Sequence, residues 1–290
     1  MNRSWLSRSL AVVALLALIV IGVNVFSAQT VSDDGKLHVW FFNVGQGDSE
    51  LIDTPSHQEI LIDGGPDTSV LHELNKALPF GDNHLDLVIV SHNHSDHLTG
   101  IDEVLKHYTV KEVWVSGAIY DSATYRDFVQ EVADKKIPIK NVTAGISENF
   151  GDITGTVIYP QTSFAGLSPT NPHDAMVVTD WTYGAQNILM MGDAESDPEG
   201  LMVAAGAIKP ATILKVGHHG STTSSSPAFL AAAKPQFAVI EAGLNNSYGL
   251  PAPSTLTKLQ DIGTKILRTD HDGTILFHLT PTETTYQTGL

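Results

Sequence analysis

From residue 37 onward, short apolar runs alternate with turn-forming residues. The runs at 37–44, 49–54 and 59–63 each end in a turn containing glycine or proline, which predicts three strands. The stretch 67–78 changes period: Val70, Leu71, Leu74 and Leu78 recur at helical spacing. A buried strand is expected at 85–90, then a helix over 97–108 with Ile101, Val104 and Leu105 inward. A strand at 111–115 precedes a helix at 123–135 whose Tyr125, Phe128, Val129 and Val132 share one side. A second series of strands starts near Ile137 and includes 155–159, 175–183 and 187–191. Helices at 196–205, 227–233 and 254–262 then alternate with strands at 212–216 and 237–241. The runs 265–268 and 274–279 are expected to close the chain as a hairpin around Asp270-His271-Asp272-Gly273. Two blocks of strands, each followed by helices, suggest an α/β fold of two facing sheets with helices outside.

The first residues form a separate object. Arg3 and Arg8 precede residues 10–26, an uncharged stretch interrupted only by Gly22 and Asn24. This is near the short limit for crossing a bilayer, and the positive flank places the N-terminus in the cytoplasm and the remainder outside. An uncleaved signal anchor is favoured over a cleaved signal peptide, for which Ser27 and Ala28 offer the small residues. The expected organisation is therefore 1–32 as anchor or signal with linker, and 33–290 as one catalytic domain. No repeat or internal linker divides it.

Composition narrows the chemistry. The chain has no cysteine and 13 histidines, so a metal here must be held by nitrogen and oxygen. Residues 33–290 hold 14 basic groups against 32 acidic ones, a formal charge of −18. Such a surface disfavours broad contact with nucleic acid.

The candidate chemistry lies where apolar strands stop. Ser91-His-Asn-His-Ser-Asp-His97 packs His92, His94, Asp96 and His97 into H-x-H-x-D-H directly after the strand at 85–90. Packing does not call for such a string, whereas zinc takes imidazole nitrogen and carboxylate oxygen, with one position kept open for water at catalytic sites. Asp193 follows another buried strand and Gly192; alone it could cap the next helix. His218 and His219 follow a third strand and precede Gly220-Ser221. His173, ahead of the strand at 175–183, is a further candidate, although alone it reads as a surface loop residue. Asp63 and Asp48 could orient ligand histidines or merely cap turns. Lys215 could offset charge near the site or be an edge-strand lysine. His38, His57, His72, His84, His107, His271 and His278 lack partner spacing and are left structural.

The order H-x-H-x-D-H, histidine, Gly-Asp, Gly-His, with strands between, resembles the metallo-β-lactamase superfamily. Phe42-Asn-Val-Gly-Gln-Gly-Asp-Ser49, Leu61-Ile-Asp-Gly-Gly65, Gly192-Asp-Ala-Glu195, Leu214-Lys-Val-Gly-His-His-Gly-Ser221 and Asn246-Ser-Tyr-Gly249 more narrowly resemble the C-terminal hydrolase domain of ComEC-type competence proteins. The likeness runs from about residue 37 to about residue 278. It implies an αββα four-layer sandwich with a metal site at one edge between the sheets. It further implies two divalent ions, zinc first and manganese next. His92, His94 and His173 would hold one ion, Asp96, His97 and His218 the other, with Asp193 bridging. Two such ions share a water whose pKa falls toward ~7, giving a nucleophile at neutral pH. Which of the adjacent histidines ligates is open. His218 is favoured because it follows Gly217 directly, which would leave His219, with Asp96, among the catalytic groups. The chain departs from the ComEC-type pattern at His94 and His173, at Asn43, and at Leu250, where that branch tends to carry a histidine.

The function expected is an exported, metal-dependent phosphodiesterase or nuclease, its substrate DNA or a small phosphodiester. Its membrane contact would be made through the N-terminal segment, and no protein partner is inferred. A β-lactam or lactone hydrolase is the enzymatic alternative, and a non-catalytic metal-binding surface domain is the alternative of another class.

Overall fold

The computed structural model describes residues 34–290. The apolar segment expected at 10–26 and the linker up to residue 32 lie outside the described residues. Among the described residues, no helix is long and apolar enough to cross a membrane.

The chain opens with three strands, β1 (Leu37–Phe41), β2 (Glu50–Asp53) and β3 (Glu59–Ile62), followed by helix α1 (Ser69–Ala77). Then come β4 (His84–Leu85), β5 (Leu87–Ile89), α2 (Ser95–His107), β6 (Thr109–Val110), β7 (Val113–Val115), α3 (Ala123–Lys135) and β8 (Ile139–Asn141). The second half contains β9 (Ser147–Phe150), β10 (Ile153–Tyr159), a short 3-10 turn at Pro172–Ala175, β11 (Val178–Tyr183), β12 (Gln186–Met190) and α4 (Ser196–Ala204). It continues through β13 (Ile213–Lys215), α5 (Pro227–Ala233), β14 (Phe237–Ile240), α6 (Pro253–Asp261), β15 (Lys265–Arg268), α7 (Thr269–Asp272), β16 (Ile275–Leu279) and β17 (Thr284–Thr288).

The strands form two large sheets. One has the order β17-β16-β1-β2-β3-β5-β7-β8, the other β15-β14-β13-β12-β11-β10-β9. Val39, Ile52, Ile60, Ile89 and Trp114 of the first sheet meet Val157, Trp181, Ile188, Ile213 and Val239 of the second in a core between them. The alternate positions face outward. Trp40, Leu51 and Val88 pack against Leu74 of α1, Leu98 and Ile101 of α2 and Phe128 of α3. On the other side, Leu189, Leu214 and Ala238 pack against Met202 of α4, Phe229 of α5 and Leu259 of α6. The result is the four-layer αββα sandwich, the central strands dividing their side chains between two apolar layers.

Two expectations need correction. The runs at 265–268 and 274–279 are not a hairpin: β15 lies parallel to β14 in the second sheet, and β16 lies antiparallel to β1 in the first. The short α7 carries the chain from one sheet to the other. Lys215 is not on an edge either, because β13 runs between β12 and β14.

Strand direction sets the place of the site. β3 and β5 are parallel, as are β12, β13 and β14, and the segments following their C-terminal ends carry the candidate residues.

Candidate metal centre

Residues 90–94 leave β5 through two bends, and the chain enters α2 at Ser95 from an extended His94, so His92 and His94 stand before the helix while Asp96 and His97 lie in its first turn. The string is thus split between loop and helix, which fixes His97 more rigidly than a loop would. β12 delivers Asp193, and the turn at Pro172–Ala175 delivers His173. Gly192, at φ +50°, permits the close approach of these segments: a Cβ there would lie 2.8 Å from Ser91 Cβ and 2.9 Å from Met176 Sδ. After β13, His218 and His219 are both left-handed, with φ of 49° and 52°, between Gly217 and Gly220. Consecutive left-handed residues other than glycine are strained, and such strain persists where surrounding structure holds it.

The side chains converge on one carboxylate. Asp193 Oδ2 lies 3.4 Å from Nε2 of His97, 3.6 Å from that of His219 and 3.8 Å from that of His218. It is 3.9 Å from Nε2 of His92 and of His173. His92, His94 and His173 form one set of donors within 4.8 Å of one another; Asp96, His97, Asp193 and His219 form another. His94 is the most lateral histidine, its ring 4.5 Å from that of His92 and 4.9 Å from that of His173.

Sequence favours His218 as the partner of Asp96 and His97; in the structure His219 groups with Asp96, His97 and Asp193, and His218 with His173 and Glu195. His219, 2% exposed, has Nε2 3.3 Å from Asp96 Oδ2 and groups with the second set. His218 is partly exposed and groups with His173 and Glu195, its Nδ1 3.2 Å from Glu195 Oε1 and from Thr223 Oγ1. The left-handed turn causes this, pulling the second histidine into the buried end of the cleft.

These groups fit divalent cations. Among the described residues, the Nε2 atoms of His92, His97, His173 and His219 and Oδ1 of Asp193 are buried without a hydrogen-bond partner. So many unpartnered donor atoms around one carboxylate would be costly unless ions bridged them.

Further residues orient the rings from behind. His97 Nδ1 lies 2.8 Å from Asp63 Oδ2, and Asp63 also accepts from Ser91 N at 2.8 Å and Ser91 Oγ at 2.5 Å. His219 Nδ1 donates to the Glu241 carbonyl at 3.0 Å and lies 3.1 Å from Asp48 Oδ1. Asp48 is paired with the fully buried Lys215, which also donates to the Gly192 carbonyl at 3.0 Å. Such contacts fix the tautomer that offers Nε2 to a metal. Sequence reasoning left Asp63 and Asp48 undecided and passed over Ser91 and Glu195; the Gly192-Asp-Ala-Glu195 motif was the available signal for the last.

Charge divides the histidines. Burial holds His92 well below the ordinary imidazole range, and His94 and His218 below it. Burial pulls His97 and His219 the same way, but Asp193, with Asp48 and, for His97, Asp63, outweighs it. His97 is lifted well above its usual value and His219 to about 10. Asp193 resists burial and stays well below the carboxylate range through His219 and His97. Asp96 likewise falls to about 2 through the adjacent His219 imidazole and the charge of His97. A divalent cation held by His97 and His219 would compete with protons for their Nε2 atoms.

The chain belongs to the metallo-beta-lactamase superfamily, whose family model matches residues 42–243. Its relatives include competence proteins of the ComEC family. ComE operon protein 3 of Bacillus subtilis (strain 168) is 28% identical over 270 residues, covering 87% of this chain and 34% of that protein. Competence protein ComA of Neisseria gonorrhoeae is 27% identical over 286 residues, covering 94% and 37%. The chain thus spans little more than a third of the length of these curated relatives. Among solved structures, the metallo-beta-lactamase fold protein YhfI from Bacillus subtilis superposes with a TM-score of 0.53 at 13% identity, covering 86% of this chain and 99% of that one. CmlA, a diiron beta-hydroxylase from Streptomyces venezuelae, gives 0.54 at 12% identity, covering 84% and 54%. At these identities the likeness is one of fold.

Proposed function

We propose that this chain is a binuclear metal-dependent hydrolase of phosphodiesters acting outside the cytoplasm, tethered or exported through its first 32 residues. The observation that carries the reading is the set of unpartnered buried Nε2 atoms around Asp193. His92, His94 and His173 would hold one ion, Asp96, His97 and His219 the other, with Asp193 between them. The ions would supply Lewis acidity and an activated water when bound. His218, partly exposed and held by Glu195 and Thr223, is placed to contact substrate or to move a proton at its Nε2. Asp63 and the Asp48–Lys215 pair would keep the two buried rings aligned.

The phosphodiester preference rests on the kinship with ComEC-type proteins. The formal charge of −16 favours a short or small phosphodiester over long nucleic acid. The test is hydrolysis of bis(p-nitrophenyl) phosphate by the metal-stripped chain reloaded with zinc or manganese, beside His92→Ala. Turnover restored by metal in the wild type alone is expected. Two bound metals without turnover would instead direct attention to lactams, lactones and a binding role.

A further inference from the structure

β1 is buried along its whole length, yet its second residue is a histidine. Val39 and Phe41 enter the core between the sheets, so His38 lies on the other face, the one Trp40 shares with the helical layer. The register extends this departure across three strands, with His38 opposite His278 on β16 and Asp53 on β2. A polar row on a face otherwise packed with apolar side chains breaks the local pattern, and such breaks concentrate at functional positions. The row lies away from the histidine centre, because β1 runs toward that centre and β2 runs back from it.

Three potential ligand groups meet here, with Asp34 also paired to Lys36 Nζ at 2.9 Å, a contact a bound cation would replace. His38 Nε2 lies 3.3 Å from Asp34 Oδ1, and the rings of His38 and His278 meet edge to face at 5.0 Å. One donor atom from each of Asp34, His38 and His278 falls within 4.8 Å of the others. His38 is 3% exposed, and among the described residues neither its Nε2 nor the buried Nδ1 of His278 has a hydrogen-bond partner. Buried nitrogens left in this state carry a desolvation cost that a cation removes. On the far side of the His38 ring, Asp53 Oδ2 lies 3.7 Å from Nδ1, the side from which a carboxylate orients a ligating imidazole. Gln287 Nε2 approaches Nε2 of His278 at 3.0 Å; with that amide turned end for end, its oxygen accepts from Nε2–H and leaves a lone pair on Nδ1 for a cation.

We propose that Asp34, His38 and His278 form a separate, structural divalent-metal site at the end of the first sheet remote from the hydrolase centre. Two imidazoles and a carboxylate select zinc-like ions over magnesium or calcium. Asp34 immediately precedes β1 and His278 lies on β16, so the ion clamps the point where the chain enters the domain onto two neighbouring strands.

The test counts metal. The full chain, purified in mild detergent without a histidine tag and stripped of metal, is titrated with zinc beside Asp34→Asn and His38→Gln/His278→Gln. Wild type is expected to bind one more equivalent than either variant, while hydrolysis of bis(p-nitrophenyl) phosphate is unchanged among the three. The Asp34→Asn change lies before β1, at a partly exposed side chain outside the strands, so it decides the matter if the double variant fails to fold. Equal zinc stoichiometry and affinity in wild type and Asp34→Asn would overturn the site, whatever the activity of the hydrolase centre.

Discussion

At the scale of single residues, the buried acids behind the histidines matter as much as the histidines. Asp63 sits in a left-handed turn residue after β3, accepts two hydrogen bonds from Ser91 and spends its remaining capacity on His97. An ionised carboxylate there stabilises an imidazole that offers Nε2 to a cation; an amide can present either end to Nδ1 and does so without charge. Asp63→Asn should lower metal affinity or kcat/KM about 10–100-fold while the fold is retained. Zinc titration and steady-state hydrolysis measure the two parts, and an unchanged value in both would remove Asp63 from the centre. Lys215 belongs to the same layer. Removing one partner of a fully buried ion pair leaves the other charge uncompensated, so Asp48 and Lys215 act as a unit.

At the scale of elements, the β5–α2 unit is held to the turn after β3 by backbone contacts. Gly64 N donates to the His97 carbonyl at 2.7 Å, and Gly100 N donates to the Gly65 carbonyl at 3.0 Å. A methyl group at Gly100 would overlap the Gly64 carbonyl. Gly100→Ala should therefore push α2 outward, cost ~1–3 kcal/mol and weaken zinc binding, because His97 and Asp63 ride on the two displaced segments. Gly200→Ala on α4, with open space around the new methyl group, is the control and should gain up to ~1 kcal/mol from helix propensity. Equal thermal shifts in the two variants would refute the contact argument. Most of these elements are legible from apolar periodicity, and the H-x-H-x-D-H string was plain. What escaped was non-local. β17 has no apolar alternation because it is an exposed edge strand, and the β15–β16 connection looks like a hairpin until both sheets are known. Lys215 looks like an edge residue because its partner, Asp48, lies far away in sequence. The directions taken by the His218 and His219 side chains depend on two left-handed residues that no periodicity announces.

At the scale of the molecule, the two sheets are joined beneath the centre by polar groups as well as by the apolar core. Asp48 and Glu50 come from the first sheet's side, Lys215 and Glu241 from the second, and all four are fully buried or nearly so. Ser49 N donates to Glu241 Oε1 at 3.1 Å, while the Glu241 carbonyl receives His219. Burial, and then the charge of Asp48, lift Glu50 to about 8; burial and Glu50 lift Glu241 well above the carboxylate range. The folded protein therefore holds protons on this pair that the unfolded chain releases above pH 4.5, the ordinary glutamate value. A group raised in the folded state contributes stability that is complete below its unfolded pKa and is lost as pH rises through the folded one. For Glu50 that window runs from 4.5 to about 8. Glu50→Gln cannot ionise and keeps the shape and polarity of the protonated acid. The melting temperature of this variant minus that of the wild type should grow between pH 6 and pH 9 at one fixed zinc concentration. Groups that do not feel Glu50 cancel in that difference, and Glu241, relieved of the Glu50 charge, shifts it in the same direction. A difference that stays flat over the same range would mean that Glu50 is already ionised in the fold, with Lys215 serving it as well as Asp48.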